Sequence, residues 1–469
     1  ILASEVWWLA VVPRRSDHQP SCWRLGIRGL LIVPRAIPEL IWGLFFVNLW
    51  GLDPLTATLA IAIPFGAITA KVFSEILDET PRQSLLILLN SGVAPLPAFF
   101  YTLLPQAFLN LLSYTFYRFE CSIRSAAVLG IIGAGGLGYE ILLSLQSLRY
   151  EQLWTFFYAL VALNGLVDYS SAWLRRRLGC ASRLDLNLPK PTDRLQPVYR
   201  RDPLVNLVGL GIVLLIPFCF WYVSADFSKL WQVRTRQLLG EMAQASFPPD
   251  VSNLPQLLTL STQTLAMSVL AISLAALGGI LLSFPAAQNF FLPGGLLHLR
   301  SQDRASTLRD WTVLLFTRTV LLICRAIPAP IWALVLLFVL FPGILPGAIA
   351  LGLHNLGILG RLMAEVIENL DQRPLEALKA QGALASQVFL YGLLPLTFPR
   401  FLAYILYRWE VCMRETVIVG LVGVGGLGRL LTEQLSSFDY RGMIVTLGCF
   451  IILTILVDWV SVTMRRDLR

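Results

Sequence analysis

Charge is scarce in this sequence. Only 14% of its 469 residues are Asp, Glu, Lys or Arg and 56% are hydrophobic, whereas an ordinary soluble domain carries about 25% charged residues. This deficit excludes a soluble globular protein. Apolar runs of about 20 residues are long enough to cross the hydrocarbon core of a bilayer, and the stretch 204–223 is such a run without a single charge. The sequence therefore predicts a membrane protein.

Residues of the common catalytic and metal sites are also few. The chain has three histidines and seven cysteines, with no CxxC pair and no HxxxH or Ser/His/Asp grouping, so neither a metal cluster nor a disulfide framework is indicated. No glycine-rich loop ends in Gly-Lys-Ser/Thr, which excludes a Walker-type ATP site on this chain. We expect no cofactor and no metal, and a membrane enzyme is the weakest interpretation. His354, beside Asn355, is typical of a hydrogen-bonded core residue.

The net charge of +8 indicates topology rather than nucleic acid as a partner. The basic residues gather at the ends of apolar runs, where they anchor spans on the cytoplasmic side. The densest group lies in the stretch 175–202, whose proline-rich part is typical of a linker. This stretch and the C-terminal Arg465 and Arg466 are predicted to be cytoplasmic, and membrane lipid is expected around the spans.

The chain contains two copies of one unit. The sequence Arg35-Ala-Ile-Pro38 returns at Arg325-Ala-Ile-Pro328, and the glycine run 133–138 returns at 423–428, in each case 290 positions later and without a gap. A period of this length far exceeds that of solenoid repeats, so it indicates a duplicated domain.

The predicted fold is all-α, a polytopic transmembrane helix bundle that is tandemly duplicated. The expected domains are a first unit at 1–177, a linker at 178–203 and a second unit at 204–469. Six spans are predicted in the second unit, at 204–223, 257–285, 312–341, 343–361, 396–420 and 441–463. Counterparts of the first two would lie before Ile1, so the first unit is expected to lack them. Splitting the fifth span between Tyr407 and Thr416 gives seven spans, but it exports the basic C-terminus against the basic-residue rule.

Four charges interrupt the fifth span of the second unit, namely Arg408, Glu410, Arg414 and Glu415. Arg408 follows Pro399 by nine residues, so it lies roughly 14 Å along a helix, about half the thickness of the hydrocarbon core. A charge at mid-bilayer costs about 3 kcal/mol, and such a residue marks a functional site by default.

Helical spacing predicts partners for some of these charges. Glu410 and Arg414 are four residues apart, so they are predicted to pair on one face of the helix. Arg408 lies on another face and is predicted to be left uncompensated. The first unit repeats these three positions as Glu120, Arg124 and Arg118. A guanidinium group presents a planar fork of donors that suits a phosphoryl oxyanion.

If the two units pack about a pseudo-twofold axis, Arg118 and Arg408 would face one aqueous path for an anion. Arg35 and Arg325 are second candidates, because the proline that follows each of them weakens the helix and frees a carbonyl. The predicted substrate path comprises Arg118, Arg408, Glu120, Glu410, Arg124, Arg414, Arg35 and Arg325. A structural alternative stays open, in which these arginines pair with Asp168 and Asp458, bind backbone carbonyls or reach the headgroups.

Between Arg361 and Pro395 the apolar run breaks. Leucines and valines return every three to four residues there, which predicts two short amphipathic helices hinged at Gly382 and lying on the cytoplasmic face. An ordinary interfacial helix pair is the structural alternative.

The sequence Glu376-Ala377-Leu378, followed by Gly382 and Leu393-Leu394-Pro395, resembles the EAA loop of ATP-binding-cassette importer permeases. The stretch 398–428 resembles the permeases of phosphonate importers, and methionine-importer permeases are similar at a greater distance. The first unit keeps Gly92 but has Leu86 and Ile87 in place of the Glu-Ala pair.

This resemblance implies a permease of the methionine-importer fold type that imports a phosphonate or a related phosphorus oxyanion. It also implies two cytoplasmic ATP-binding subunits, which would dock at Glu376, Ala377, Gly382 and Gly92, and a substrate-binding protein outside. Import of another small solute, such as a methionine-like one, and passive anion conduction are the alternatives.

The glycine run 423–428 fits the pattern GxGxxG, but a dinucleotide fingerprint needs a preceding strand. A charged apolar helix precedes it here, so a tight re-entrant turn on the outer side is predicted instead. The predicted turn residues are Gly135, Gly136, Gly425 and Gly426.

Overall fold

The computed structural model describes residues 2–7, 22–130, 135–177, 203–223, 226–250, 252–291, 304–341 and 343–467. Across those ranges every regular element is a helix and there is no strand. Six of the described helices are long and apolar enough to cross a membrane. They are Pro54–Glu79, Pro95–Leu129, Leu254–Ala286, Ile344–Glu368, Ala385–Val419 and Tyr440–Arg465. The all-α prediction is confirmed.

The chain forms two compact units. Unit 1 comprises Ile1–Gln146 and Leu163–Leu239, and unit 2 comprises Ser147–Ala162 and Gly240–Arg469. The predicted linker lies almost wholly outside the described residues.

Four kinds of element recur in the repeat and are named here. The inner helix is Pro54–Glu79 in unit 1 and Ile344–Glu368 in unit 2. The arginine helix is Leu104–Leu129 in unit 1 and Leu394–Val419 in unit 2. The closing helix is Tyr150–Arg177 or Tyr440–Asp467. The broken helix is the bent pair Gly26–Ala36 with Glu39–Trp50, or Leu308–Ala326 with Ala329–Val339.

Further helices complete the described chain. They are Gln83–Asn90, Pro95–Ala98, Gly136–Gln146, Pro203–Val223, Val233–Ala245, Gln288–Phe291, Arg373–Ala380, Ala385–Gln387 and Gly426–Ser436. A π-helical turn at Phe99–Leu103 and another at Val388–Leu393 lead into the arginine helices.

The broken helix corrects one predicted span. The continuous span expected at 312–341 is bent by 92° between Ala326 and Ala329. Pro328 has no amide hydrogen, so the Cys324 carbonyl loses its helical donor, and Trp332 Nε1 donates to that carbonyl at 3.3 Å instead. His354 Nδ1 lies 3.0 Å from the Ile327 carbonyl, which confirms its interpretation as a hydrogen-bonded core residue.

The inner helix is the centre of unit 2. Of its most apolar stretch 72% is buried, against 28% for the inner helix of unit 1. Glycine permits the close packing, because a Cβ atom at Gly357 would lie only 2.5 Å from the Arg325 amide nitrogen. Small residues at helix contacts are typical of membrane bundles.

The inner helix of unit 1 begins at a well-capped end. The Asp53 carboxylate accepts from the Leu55 amide at 2.8 Å, and Pro54 occupies the first helical position, where its missing amide hydrogen is not needed. Asp53 also pairs with Lys229, which holds the short 3₁₀ helix Phe227–Trp231 against this end.

Candidate functional site

The arginine helix of unit 2 carries a closed polar cluster. Arg408 is buried, with 5% of its surface exposed, and its Nε donates to Asn355 Oδ1 at 2.9 Å. A guanidinium nitrogen of Arg408 also lies 3.4 Å from Glu415 Oε1. Asn355 Nδ2 in turn donates to Glu415 Oε2 at 3.2 Å and to the Leu351 carbonyl at 2.9 Å. Arg408 is therefore compensated, and the prediction of an uncompensated guanidinium is wrong for unit 2.

The other two charges of this helix pair with the closing helix. Glu410 forms an ion pair with Arg465, and Arg414 lies 3.4 Å from Asp458 Oδ1. The predicted Glu410–Arg414 pair is thus replaced by two pairs between helices. The two helices lie alongside each other, since Ser461 Oγ donates to the Leu406 carbonyl at 3.0 Å. An i,i+4 pair contributes only about 0.2–0.5 kcal/mol, so partners on a packed neighbouring helix prevail.

Unit 1 repeats part of this arrangement. Glu120 pairs with Arg175 of the closing helix at 3.2 Å, rather than with Arg124, which lies 3.6 Å from Cys121 Sγ. Arg175 is buried, with 6% of its surface exposed. The guanidinium carbon of Arg118 lies 4.0 Å from the centre of the Phe65 ring, a cation–π geometry.

The two units therefore differ in the surroundings of Arg118 and Arg408. Position 65 corresponds to position 355, so Phe65 in unit 1 stands where Asn355 stands in unit 2. The spacing within one helix indicates no role for Asn355, Glu415 or Arg465, whereas the structural alternative in which an arginine pairs with Asp458 is confirmed for Arg414. A comparison of the two copies, position by position, could have identified Asn355 from the sequence.

Arg35 and Arg325 occupy equivalent places at the bend. Each lies in the last turn of the first half of its broken helix, where a positive side chain is favoured by the helix dipole. Both are half-buried.

A segment of two short helices follows each inner helix, and it is named the coupling segment. In unit 2 it runs through Arg373–Ala380 and Ala385–Gln387, with Gly382 between them at φ +84°. This confirms the prediction of two short helices hinged at that glycine, a conformation that favours glycine. Leu375 is fully buried, while Glu376 and Ala377 are exposed.

The coupling segment of unit 1 has the same backbone with a different surface. Gln83–Asn90 is followed by Gly92 at φ +83°. Leu85 is buried, as Leu375 is, but Leu86 and Ile87 are exposed.

The glycine runs make turns. Gly425 and Gly426 have φ of +126° and +71°, and Gly135 and Gly136 have +86° and +76°. Leu427 follows the second turn, and its amide donates to Thr264 Oγ1 at 3.0 Å. Helix, not strand, precedes the run in unit 2, so it is not a dinucleotide site. Among the described residues no group of three His, Cys, Asp or Glu side chains is placed to hold a metal ion.

Comparison with known proteins agrees with this architecture. The family model described as "binding-protein-dependent transport system inner membrane component" matches residues 18–179 and again 305–469. The chain is 27% identical to the phosphate-import permease protein PhnE of Mycolicibacterium smegmatis, over 93% of this chain and 77% of that protein. It is 31% identical to the phosphite transport system permease protein PtxC of Stutzerimonas stutzeri, over 56% of this chain and 88% of that protein.

A solved structure described as inward-facing conformations of the MetNI methionine ABC transporter aligns with 47% of this chain and 99% of that chain. The identity is 18% and the TM-score 0.39.

A duplicated bundle of apolar helices, with charges held between helices and an exposed coupling segment in each unit, defines a multi-pass membrane permease. The chain belongs to the family of binding-protein-dependent transport system inner membrane components, of which it carries two copies in tandem. It is a transport subunit rather than an enzyme, and ATP-binding subunits and a substrate-binding protein complete importers of this family. The resemblance to permeases of phosphorus-oxyanion importers is confirmed by its relatives.

Proposed function

We propose that this chain is the permease of an ATP-driven importer for a phosphorus oxyanion, namely a phosphonate, phosphite or phosphate. One observation carries the proposal, which is that an arginine, half-buried as Arg118 and buried as Arg408, stands at the same place in both units of a chain similar to phosphate and phosphite permeases over most of its length. All three anions present the same tetrahedral phosphoryl oxygens, which a guanidinium fork binds through paired hydrogen bonds.

Arg118 and Arg408 supply the anion-binding groups of the route, one from each arginine helix. Arg35 and Arg325 supply a second pair at the bends. The ion pairs of Glu120 and Glu410 with the closing helices keep each arginine helix in register, since breaking such a pair leaves a buried charge. On the same two helices, Arg124 and Arg414 add further positive charge along the route.

Each coupling segment receives one of two ATP-binding subunits. In unit 2 Glu376 and Ala377 offer an exposed carboxylate and a small side chain, whereas unit 1 offers Leu86 and Ile87. Closure of the ATPases then moves the rigid short helices about Gly382 and Gly92, a hinge motion that alternates access to the route. In this proposal the coupling segments, the linker 178–203 and the C-terminus lie in the cytoplasm, the glycine turns lie outside and the apolar faces lie against lipid.

Growth of a bacterial strain that lacks its own phosphorus importers tests this function. The chain is expressed with its ATP-binding subunits and its binding protein, and phosphite, phosphate or methylphosphonate is the only phosphorus source. We expect growth on at least one of them, and loss of that growth in an Arg408→Gln variant that still inserts in the membrane. Absence of growth on all three, with uptake of methionine instead, would contradict the proposal.

A further inference from the structure

The two units carry an acidic side chain at different positions of the repeat. Positions 39 and 329 are equivalent in the repeat, as are positions 125 and 415. In unit 1 these positions hold Glu39 and Ser125, and in unit 2 they hold Ala329 and Glu415. The carboxylate thus sits on the broken helix in unit 1 and on the arginine helix in unit 2.

The two positions touch each other. In unit 1 Ser125 Oγ donates to Glu39 Oε1 at 2.7 Å, so a carboxylate moved from position 39 to position 125 would remain at the same contact between the two helices. The sequence changes at both positions, and yet each unit keeps one carboxylate there. Because a carboxylate within a membrane bundle is costly, its retention from two different helices indicates that the charge is needed at this place.

In unit 2 the structure shows what this charge faces. Glu415 Oε1 lies 3.4 Å from the Arg408 guanidinium, and Asn355 holds both residues. The side chain of Glu415 is 22% exposed and that of Arg408 only 6%. Glu415 is therefore the more exposed member of the pair.

We propose that this carboxylate, Glu39 in unit 1 and Glu415 in unit 2, is the resident counter-ion of the anion route. The inference rests on the proposed function. In unit 2 the carboxylate is a positioning residue that neutralises the Arg408 guanidinium while no substrate is bound, and the phosphorus oxyanion displaces it; Glu39 holds the corresponding contact in unit 1. Since both anions compete for the same donors, return of the carboxylate helps the substrate to leave. Without the carboxylate, the phosphorus oxyanion binds more tightly and is released more slowly.

The test moves the carboxylate of unit 2 from position 415 to position 329, which is equivalent to the position that unit 1 uses. Glu415→Ser removes the carboxylate of unit 2, and Ala329→Glu/Glu415→Ser restores it at the position used by unit 1. Binding of labelled phosphite and labelled phosphate to the purified full complex is measured without the binding protein, together with ATP-driven uptake into proteoliposomes. In Glu415→Ser we expect binding to tighten and uptake to slow, each by about tenfold, the factor that corresponds to one charge-assisted hydrogen bond. In the double variant both values return towards wild type.

Controls separate this role from a merely structural one. Glu415→Gln keeps the shape of the side chain and is expected to behave as Glu415→Ser does, which leaves the proposal testable if the serine variant does not fold. Glu433→Gln removes a carboxylate from an exposed pair with Arg429 and should change nothing. The inference is overturned if folded Glu415→Gln binds the anions no more tightly than wild type, or if the folded double variant remains as slow as the single one. Failure of the wild type to bind or import phosphite, phosphate or methylphosphonate would instead refute the proposed function, and this inference with it.

Discussion

Replacing Asn355 by leucine should destabilise unit 2 severely, because the substitution removes the residue that holds Arg408 and Glu415 together. Two guanidinium nitrogens of Arg408 donate to the single Asn355 side-chain oxygen. Each hydrogen bond to a charged group contributes about 1.5–3 kcal/mol, so the two together place the loss at about 3–6 kcal/mol.

Thermal unfolding of the purified protein measures this loss. At roughly 2–4 °C per kcal/mol for a domain of about 150–250 residues, this loss should lower the melting temperature by about 6–24 °C. Phe65→Leu is the matched control at the equivalent position of unit 1, where only a cation–π contact of about 0.5–2 kcal/mol is removed. A melting temperature for Asn355→Leu equal to that of wild type, or shifted no more than that of Phe65→Leu, would refute the reasoning.

Three further predictions concern other parts of the chain. Gly382→Asp should abolish uptake without loss of membrane insertion, because the φ of +84° is strained for any side chain; uptake at the wild-type rate by an inserted variant would contradict this. Glu410→Gln should lower the thermal stability by about 3–5 kcal/mol, since it leaves Arg465 facing a neutral partner in the bundle; an unshifted melting curve would count against that pair. Burial alone would raise the pKa of Asp53, but hydrogen bonds from Lys229 and a backbone amide lower it below its usual range. A lowered folded-state pKa stabilises the protein above the unfolded value of about 3.9, and the effect is lost as the pH falls through the folded value. The difference in melting temperature between wild type and Asp53→Asn should therefore be full at pH 7 and shrink as the pH falls below about 3.9, and a constant difference would exclude this linkage.

Much of the fold follows from local sequence signals. Hydrophobic runs predict the spans, and the 290-residue period predicts that the inner, arginine and closing helices occur twice. The hinge at Gly382 is also predictable, because a glycine that interrupts an amphipathic pattern marks a turn. Pro328 predicts a weak point in the helix, but the 92° bend also involves Trp332 Nε1, which donates to the freed Cys324 carbonyl, and His354 of the inner helix, whose Nδ1 lies 3.0 Å from the Ile327 carbonyl.

The partners of the buried charges could not be predicted from spacing along one helix. Glu410 and Arg414 are well placed for each other on a single helix, yet each is closer to a residue of the closing helix. Which helix packs there is a property of the tertiary structure. The hydrogen bond between Arg408 and Asn355, which lie 53 residues apart on different helices, cannot be predicted for the same reason.

ATP-driven uptake of labelled phosphite and phosphate into proteoliposomes tests the central claim most directly, with wild type compared to an Arg118→Gln/Arg408→Gln double variant. The account predicts uptake of at least one anion by the wild type, and its loss in the double variant while ATP hydrolysis by the assembled complex persists. Undiminished uptake by a folded double variant would contradict the claim that these two arginines carry the anion.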